Sequence, residues 1–164
     1  MVVRAHLGAP LHMAKLLDEQ YMREALREAA KAFEAGELPS GAVVVHAGKM
    51  IGRAHTQVRL LKDPTAHAIM IALTQAANAL EAPLLRKTVV YATIEPCAMC
   101  VGALLAAQAD QLIFGAVDAR HGSCGSIVNL AGNERLNRRL EVTRGVMAKE
   151  CEELLQEYLG GHKT

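Results

Sequence analysis

Tryptophan is absent from the 164-residue chain, and aromatic residues make up only 3% of it. Proteins that hold several unpaired bases stack them on aromatic rings, so a long stacking platform is excluded. Net charge is also nearly absent: 18 basic and 17 acidic residues leave +1. No bulk electrostatic footprint for nucleic acid follows from that balance. A local basic patch stays open, because Arg135, Arg138, Arg139 and Arg144 crowd the C-terminal third, with Lys62, Arg86 and Lys87 elsewhere. The ordinary reading of such charges is a solvated surface. No apolar run reaches the ~18 residues of a membrane span. The N-terminus lacks the charged-then-apolar order of a secretory signal. The expectation is a cytoplasmic chain with no membrane partner. In that setting a Cys-x-x-Cys pair, drawn from four cysteines, reads as metal-binding or redox-active and not as a structural bridge.

What the chain does have is 51% hydrophobic residues, in runs of Val, Ile, Leu and Ala. Its length favours one domain, which buries roughly 70% of its unfolded surface. Residues 1–12 show no clear period and read as a disordered N-terminal extension. From Asp18 to about Ala35 the apolar residues recur at helical spacing. Asp18 suits the N-cap and Gly36 the stop. Two strands, Gly41–His46 and Met50–His55, flank a turn at Ala47-Gly48-Lys49, and residues 56–63 read as a polar loop. Asp63 and Pro64 then suit the cap and first turn of a helix running to about Leu80. Thr88–Thr93 is a near-continuous apolar strand, suited to burial on both faces. A helix from Cys97 to about Ala107, a strand at Gln111–Ala116, a short strand near Leu140–Val142 and a helix from about Met147 to Leu159 complete the chain. A frayed tail follows Gly160. This order predicts a three-layer α/β/α domain with a central mixed sheet.

The chemistry-bearing residues are His67, Cys97 and Cys100. Zinc accepts imidazole nitrogen and thiolate sulfur in a tetrahedral shell, and three protein ligands leave a fourth position for water. Cysteines at i and i+3 of one helix share a face, so both sulfurs can reach one ion. The positive end of that helix favours thiolate. Spacing alone leaves three readings open: zinc, redox use and buried thiols. Cys124 and Cys151 have no partner motif and read as packing, and His46 and His55 as surface or core residues.

The motifs around these residues resemble the cytidine/deoxycytidylate deaminase superfamily, and within it the bacterial tRNA adenosine deaminases. The resemblance rests on Asp63-Pro64-Thr65-Ala66-His67-Ala68 and Ile94-Glu95-Pro96-Cys97-Ala98-Met99-Cys100. It also rests on Pro39-Ser40-Gly41-Ala42-Val43, Phe114-Gly115-Ala116-Val117-Asp118-Ala119, Gly122-Ser123-Cys124-Gly125-Ser126 and Arg135-Leu136-Asn137. It extends from about Leu17 to Tyr158 and sets the expected deaminase domain at 13–160, with a tail at 161–164. It implies a cytidine-deaminase-like fold that binds zinc through His67, Cys97 and Cys100. It further implies hydrolytic conversion of a flipped-out wobble adenosine to inosine in a tRNA anticodon loop. A homodimer, or a deaminase partner subunit, is implied as partner. By the same resemblance the amides at Ala66 and His67 help bind the base edge, Asp118 lies in a loop contacting neighbouring nucleotides, and Arg120 is a phosphate contact.

The chain departs from that pattern at the residue that matters most to the reaction. The family carries Glu two positions after the zinc histidine, and this chain carries Ile69. That Glu takes a proton from the attacking water and delivers it to the ring and the leaving amine, a role worth roughly 10²–10⁴-fold. Isoleucine has no proton to move. Thr56 stands where the family commonly has a ribose-contacting Asn, and Ser40 stands at a usually apolar position. Glu95 reads as structural and Asp63 as a helix cap, so neither replaces the missing acid. The sequence therefore predicts a tRNA adenosine deaminase scaffold that binds better than it reacts. The alternatives are a non-catalytic RNA-binding or partner-supporting subunit, and a remodelled pocket for another base or nucleoside.

Overall fold

The computed structural model describes residues 10–161. Helix α1 (Leu11–Glu34) leads into the hairpin β1 (Gly41–His46) and β2 (Lys49–His55). A short helix α2 (Val58–Leu61) precedes α3 (Ala68–Ala79). Then follow β3 (Thr88–Ile94), α4 (Ala98–Ala106), β4 (Gln111–Ala116), β5 (Glu141–Arg144) and α5 (Ala148–Gly161). The strands form one sheet in the order β2-β1-β3-β4-β5. β1 runs antiparallel to both β2 and β3, whereas β3, β4 and β5 are parallel. The expected mixed sheet between two helical layers is the observed architecture.

Strand periodicity divides the core in two. Val43, Val45, Val89, Tyr91 and Ile113 point to one face, where Tyr21, Met22 and Ala25 of α1 and Cys151 of α5 cover them. Val44, Val90, Leu112 and Phe114 point to the other, under Ala68, Ile69, Ala72 and Ala76 of α3 and Val101 and Leu104 of α4. Cys151 thus packs in the core, as its lack of a partner motif suggests. Each helical layer sits on the hairpin through a glycine. A Cβ on Gly41 would lie 2.0 Å from the Ala25 carbonyl oxygen of α1. A Cβ on Gly52 would lie 2.4 Å from the Ala72 carbonyl oxygen of α3. Only a residue without a side chain lets backbone approach that closely.

Several expected boundaries move. α1 begins at Leu11, seven residues before Asp18, which is no N-cap. Its carboxylate instead accepts the Tyr91 hydroxyl at 2.8 Å, a partner 73 positions away. Residues 11 and 12, assigned to the extension, are helical, and the rest of that extension through residue 9 lies outside the described residues. Gly36, at φ +73°, follows the helix end as expected. The loop 56–63 contains α2, whose first amides, Arg59 and Leu60, donate to the Glu37 carboxylate at 2.7 and 2.9 Å. Asp63 does not cap α3. It accepts the Thr65 amide and hydroxyl at 2.8 and 2.7 Å, so a turn carries the chain to His67 before the helix starts. β5 and α5 start one residue later than expected, and α5 reaches Gly161, beyond the expected fraying point.

α3 carries the first of the candidate metal ligands at its start, so its seat on β2 is open to test. Gly52→Ala forces the two backbones apart. The expected cost is about 1–3 kcal/mol of stability, read as a lower thermal midpoint, together with weaker zinc retention than the unaltered chain.

Candidate metal centre and pocket

Four strand termini and two helix starts meet at one edge of the sheet. β1 begins just after Ser40, and β2 ends just before Thr56. β3 runs out into Glu95-Pro96-Cys97, and β4 into Val117-Asp118. The carboxyl ends of parallel strands are where open α/β sheets bind ligands. His67 and Cys97 are the N-caps of α3 and α4, with extended ψ of 151° and 172°, and neither side chain caps its own helix. Cys100 follows on the first turn of α4.

These three side chains converge. His67 Nδ1 lies 3.6 Å from Cys97 Sγ and 3.6 Å from Cys100 Sγ. All three donor atoms lie within 4.8 Å of one another, the one such trio of metal-binding side chains among the described residues. A tetrahedral zinc with bonds of about 2.0 Å to nitrogen and 2.3 Å to sulfur sets nitrogen and sulfur about 3.5 Å apart. The donor spacing and the imidazole–thiolate chemistry both fit that ion. The Cys97 thiol is held down to about 3, first by its hydrogen bond with Cys100 and then by His67. The same bond pushes Cys100 up, and burial adds to it. Hydrogen bonding to Cys97 raises His67 against the opposing effect of burial. A thiolate at Cys97 is the form that binds a cation.

A cavity of about 510 Å³ opens over the trio. Ser40, Thr56, Ile69 and Asp118 line it with the three donors. Ile69 is only 4% exposed and packs into the core beneath α3, offering the cavity a hydrocarbon wall. Thr56 is buried, and its amide donates to the Ser40 carbonyl at 3.0 Å, so the two residues form one wall. Two expected contacts stand elsewhere. Ala66 does not line the cavity, and its amide donates to the Asp63 carbonyl at 3.1 Å, while that of His67 donates to the Thr65 carbonyl at 2.7 Å. Both amides are therefore committed within the turn that shapes the ligand. Arg120 lies in an adjoining groove of about 600 Å³ between the loop after β4 and α5, which shares Leu38, Ile94, Asp118 and His121 with the cavity.

Glu95 is structural, in keeping with the sequence reading. It is 3% exposed, and four donors occupy its carboxylate. Oε2 accepts the Asp118 amide at 3.1 Å and the Ser126 hydroxyl, and Oε1 accepts the Cys124 and Ser126 amides at 3.0 and 3.1 Å. The Ser123 amide also donates to the Pro96 carbonyl at 2.9 Å. The loop after β4 is thereby tied to the turn that delivers Cys97. The remaining polar lining residues, Glu37, Arg59, His121 and Tyr158, belong to no motif and come together only in space. A helical pattern at 147–159 places Tyr158 on α5 but not at this cavity.

This fold and donor set define a deaminase architecture, and comparison with known proteins agrees. A family model of MafB19-like deaminases matches residues 17–156. The chain belongs to the cytidine deaminase-like family. It is 41% identical over 141 residues to the tRNA-specific adenosine deaminase of Bacillus subtilis, covering 86% of this chain and 88% of that one. It is equally 41% identical to the enzyme of that name from Aquifex aeolicus, covering 85% and 92%. A solved structure from work on A-to-I editing by tRNA:A34 deaminases at the wobble position superposes with a TM-score of 0.81 at 35% identity, over 83% of this chain and 99% of that one.

Two measurements follow. The purified chain is expected to carry about one zinc per chain by elemental analysis, and Cys97→Ala or Cys100→Ala to lose it. Glu95→Ala strands the buried Cys124 amide and removes the acceptor of the half-buried Asp118 and Ser126 hydrogen bonds. The expected loss is about 2–4 kcal/mol in denaturant unfolding, with the three metal donors unaltered.

Proposed function

We propose that this chain is a zinc-dependent tRNA adenosine deaminase scaffold, built for hydrolysis of wobble adenosine to inosine and strongly impaired in that step. The activity named for the bacterial relatives, the coverage of most of their length and the donor spacing support the substrate and reaction class. Ile69 carries the impairment: a buried hydrocarbon stands beside an intact set of ligands. His67, Cys97 and Cys100 would hold the zinc, which supplies an acidified water to attack C6 of adenine. Thr56 and Ser40 would bound the side of the cavity that takes the ribose. The adjoining groove, with Asp118 at its junction and Arg120 along it, would take the flanking nucleotides and a phosphate. A flipped base needs a cavity and few stacking partners, which fits an aromatic-poor chain. The proposal includes a cytoplasmic setting and a homodimer, or a deaminase partner subunit, completing the RNA surface.

Ile69 leaves binding and chemistry separable. Nothing about isoleucine removes a metal donor or a groove residue. What it removes is the group that carries a proton from water to the leaving amine. Inosine formation on a tRNA transcript with A at the first anticodon position is the direct test. The unaltered chain is expected to bind that tRNA and convert it slowly, and Ile69→Glu to raise the single-turnover rate by about 100-fold or more. Turnover in the unaltered chain equal to that of the Bacillus subtilis relative would refute the impairment. Absence of inosine from both proteins would refute the substrate.

A further inference from the structure

The cavity holds ionisable groups that the proposed reaction does not yet use, and they differ in what they are free to do. Glu95 is fully occupied by four donors. The Glu37 carboxylate caps α2 through the Arg59 and Leu60 amides. Arg59 is a guanidinium, which does not give up its proton in proteins. Tyr158 packs edge-on against Phe33 at 6.4 Å, and a phenol ranks behind imidazole as an acid–base group near neutral pH. His121 remains. It lines the cavity together with His67, Ile69 and Cys97.

His121 also has a carboxylate beside its ring. Its Nδ1 lies 3.4 Å from Asp118 Oδ2. Asp118 is itself fixed: Oδ1 accepts the amides of Arg120 and His121 at 2.8 and 3.1 Å, and the Asp118 amide donates to Glu95. A carboxylate beside one imidazole nitrogen favours the ring taking up a proton and leaves the other nitrogen to exchange protons with a substrate or an intervening water. The side chain is 70% exposed, so it stands at the mouth of the cavity and not on its floor. Around it are Arg120 on the same loop and, across the adjoining groove, Glu152 of α5.

We propose that His121, oriented by Asp118, is the proton carrier for whatever deamination the unaltered chain performs. The proposal rests on the deaminase reading above. The proton balance is complete without a further reactant. Water adds its oxygen to C6 of adenine and gives one proton to the His121 imidazole. The other proton ends on N1 of the ring. The imidazolium returns its proton to the exocyclic nitrogen, the C6–N bond breaks, and ammonia leaves. Asp118 acts through His121 and is a positioning residue.

The test compares four zinc-loaded, full-length proteins: the unaltered chain, His121→Gln, Ile69→Glu and the double variant. Each is assayed for single-turnover inosine formation across pH and for tRNA affinity. In the unaltered chain His121→Gln is expected to slow the reaction by about 30-fold or more and to remove one limb of its rate–pH profile. The loss on the Ile69→Glu background should be about threefold or less, because the carboxylate then carries the proton. Affinity for tRNA is measured alongside, because His121 also lines the adjoining groove, so that weaker binding is separated from slower proton transfer. As a readout apart from turnover, the His121 ring signals in NMR should shift when adenosine is added. Equal losses on both backgrounds, a loss confined to tRNA affinity, or unmoved ring signals would overturn the proposal. So would an inert unaltered chain beside an active Ile69→Glu protein, which leaves the deaminase reading intact. If neither forms inosine, both readings fall.

Discussion

The whole arrangement depends on how closely two helices can approach a two-stranded hairpin. Gly41 lets α1 lie against β1, and Gly52 lets α3 lie against β2, each at a distance no side chain would tolerate. The partners on the helices are alanines at fourfold spacing, Ala25 and Ala29 on one side and Ala72 and Ala76 on the other. Small residues facing small residues fix the depth and rotation of each helix. Depth and rotation of α3 in turn fix where His67 emerges. A metal trio whose imidazole nitrogen lies 3.6 Å from each of two sulfurs, close to zinc spacing, needs that precision in its scaffold.

The second ligand pair is placed by a different device. Cys97 and Cys100 come from a strand-to-helix turn that is stitched by Glu95 to the loop after β4. The metal side of the cavity and its outer loop therefore belong to one rigid piece, while His67 belongs to another. The sheet joins them through the antiparallel β1–β3 pairing, from Ala42 opposite Ala92 to His46 opposite Thr88. The family's characteristic chemistry thus needs no local continuity between its ligands, only two helix starts held over the same strand ends.

Much of this was legible in the residues because the signals are local. The strands at 41–46 and 111–116 follow from apolar runs bounded by turn residues, and Thr88–Thr93 reads as doubly buried, which it is throughout. The donor trio follows from short motifs whose residues fold next to one another. What escaped reading was decided by distant partners. Asp18 looks like a cap and is a partner of Tyr91, and Asp63 looks like a cap and holds a turn. α2 looks like loop because the carboxylate that nucleates it, Glu37, lies before β1. His121, Arg59 and Tyr158 reach the cavity from three separate segments, and no spacing rule links them. The short helix and the cavity's outer wall were invisible for one reason: both are set by long-range hydrogen bonding and packing, not by period.

Ile69 also bears on stability, apart from chemistry. Its side chain belongs to the apolar layer between α3 and the sheet, at a place where an ionised group would have to be kept solvated or paired. A hydrocarbon there completes that layer and leaves the three metal donors in place. A carboxylate placed there by substitution would gain a proton carrier at the expense of core packing, so the same position sets activity and folding stability against each other.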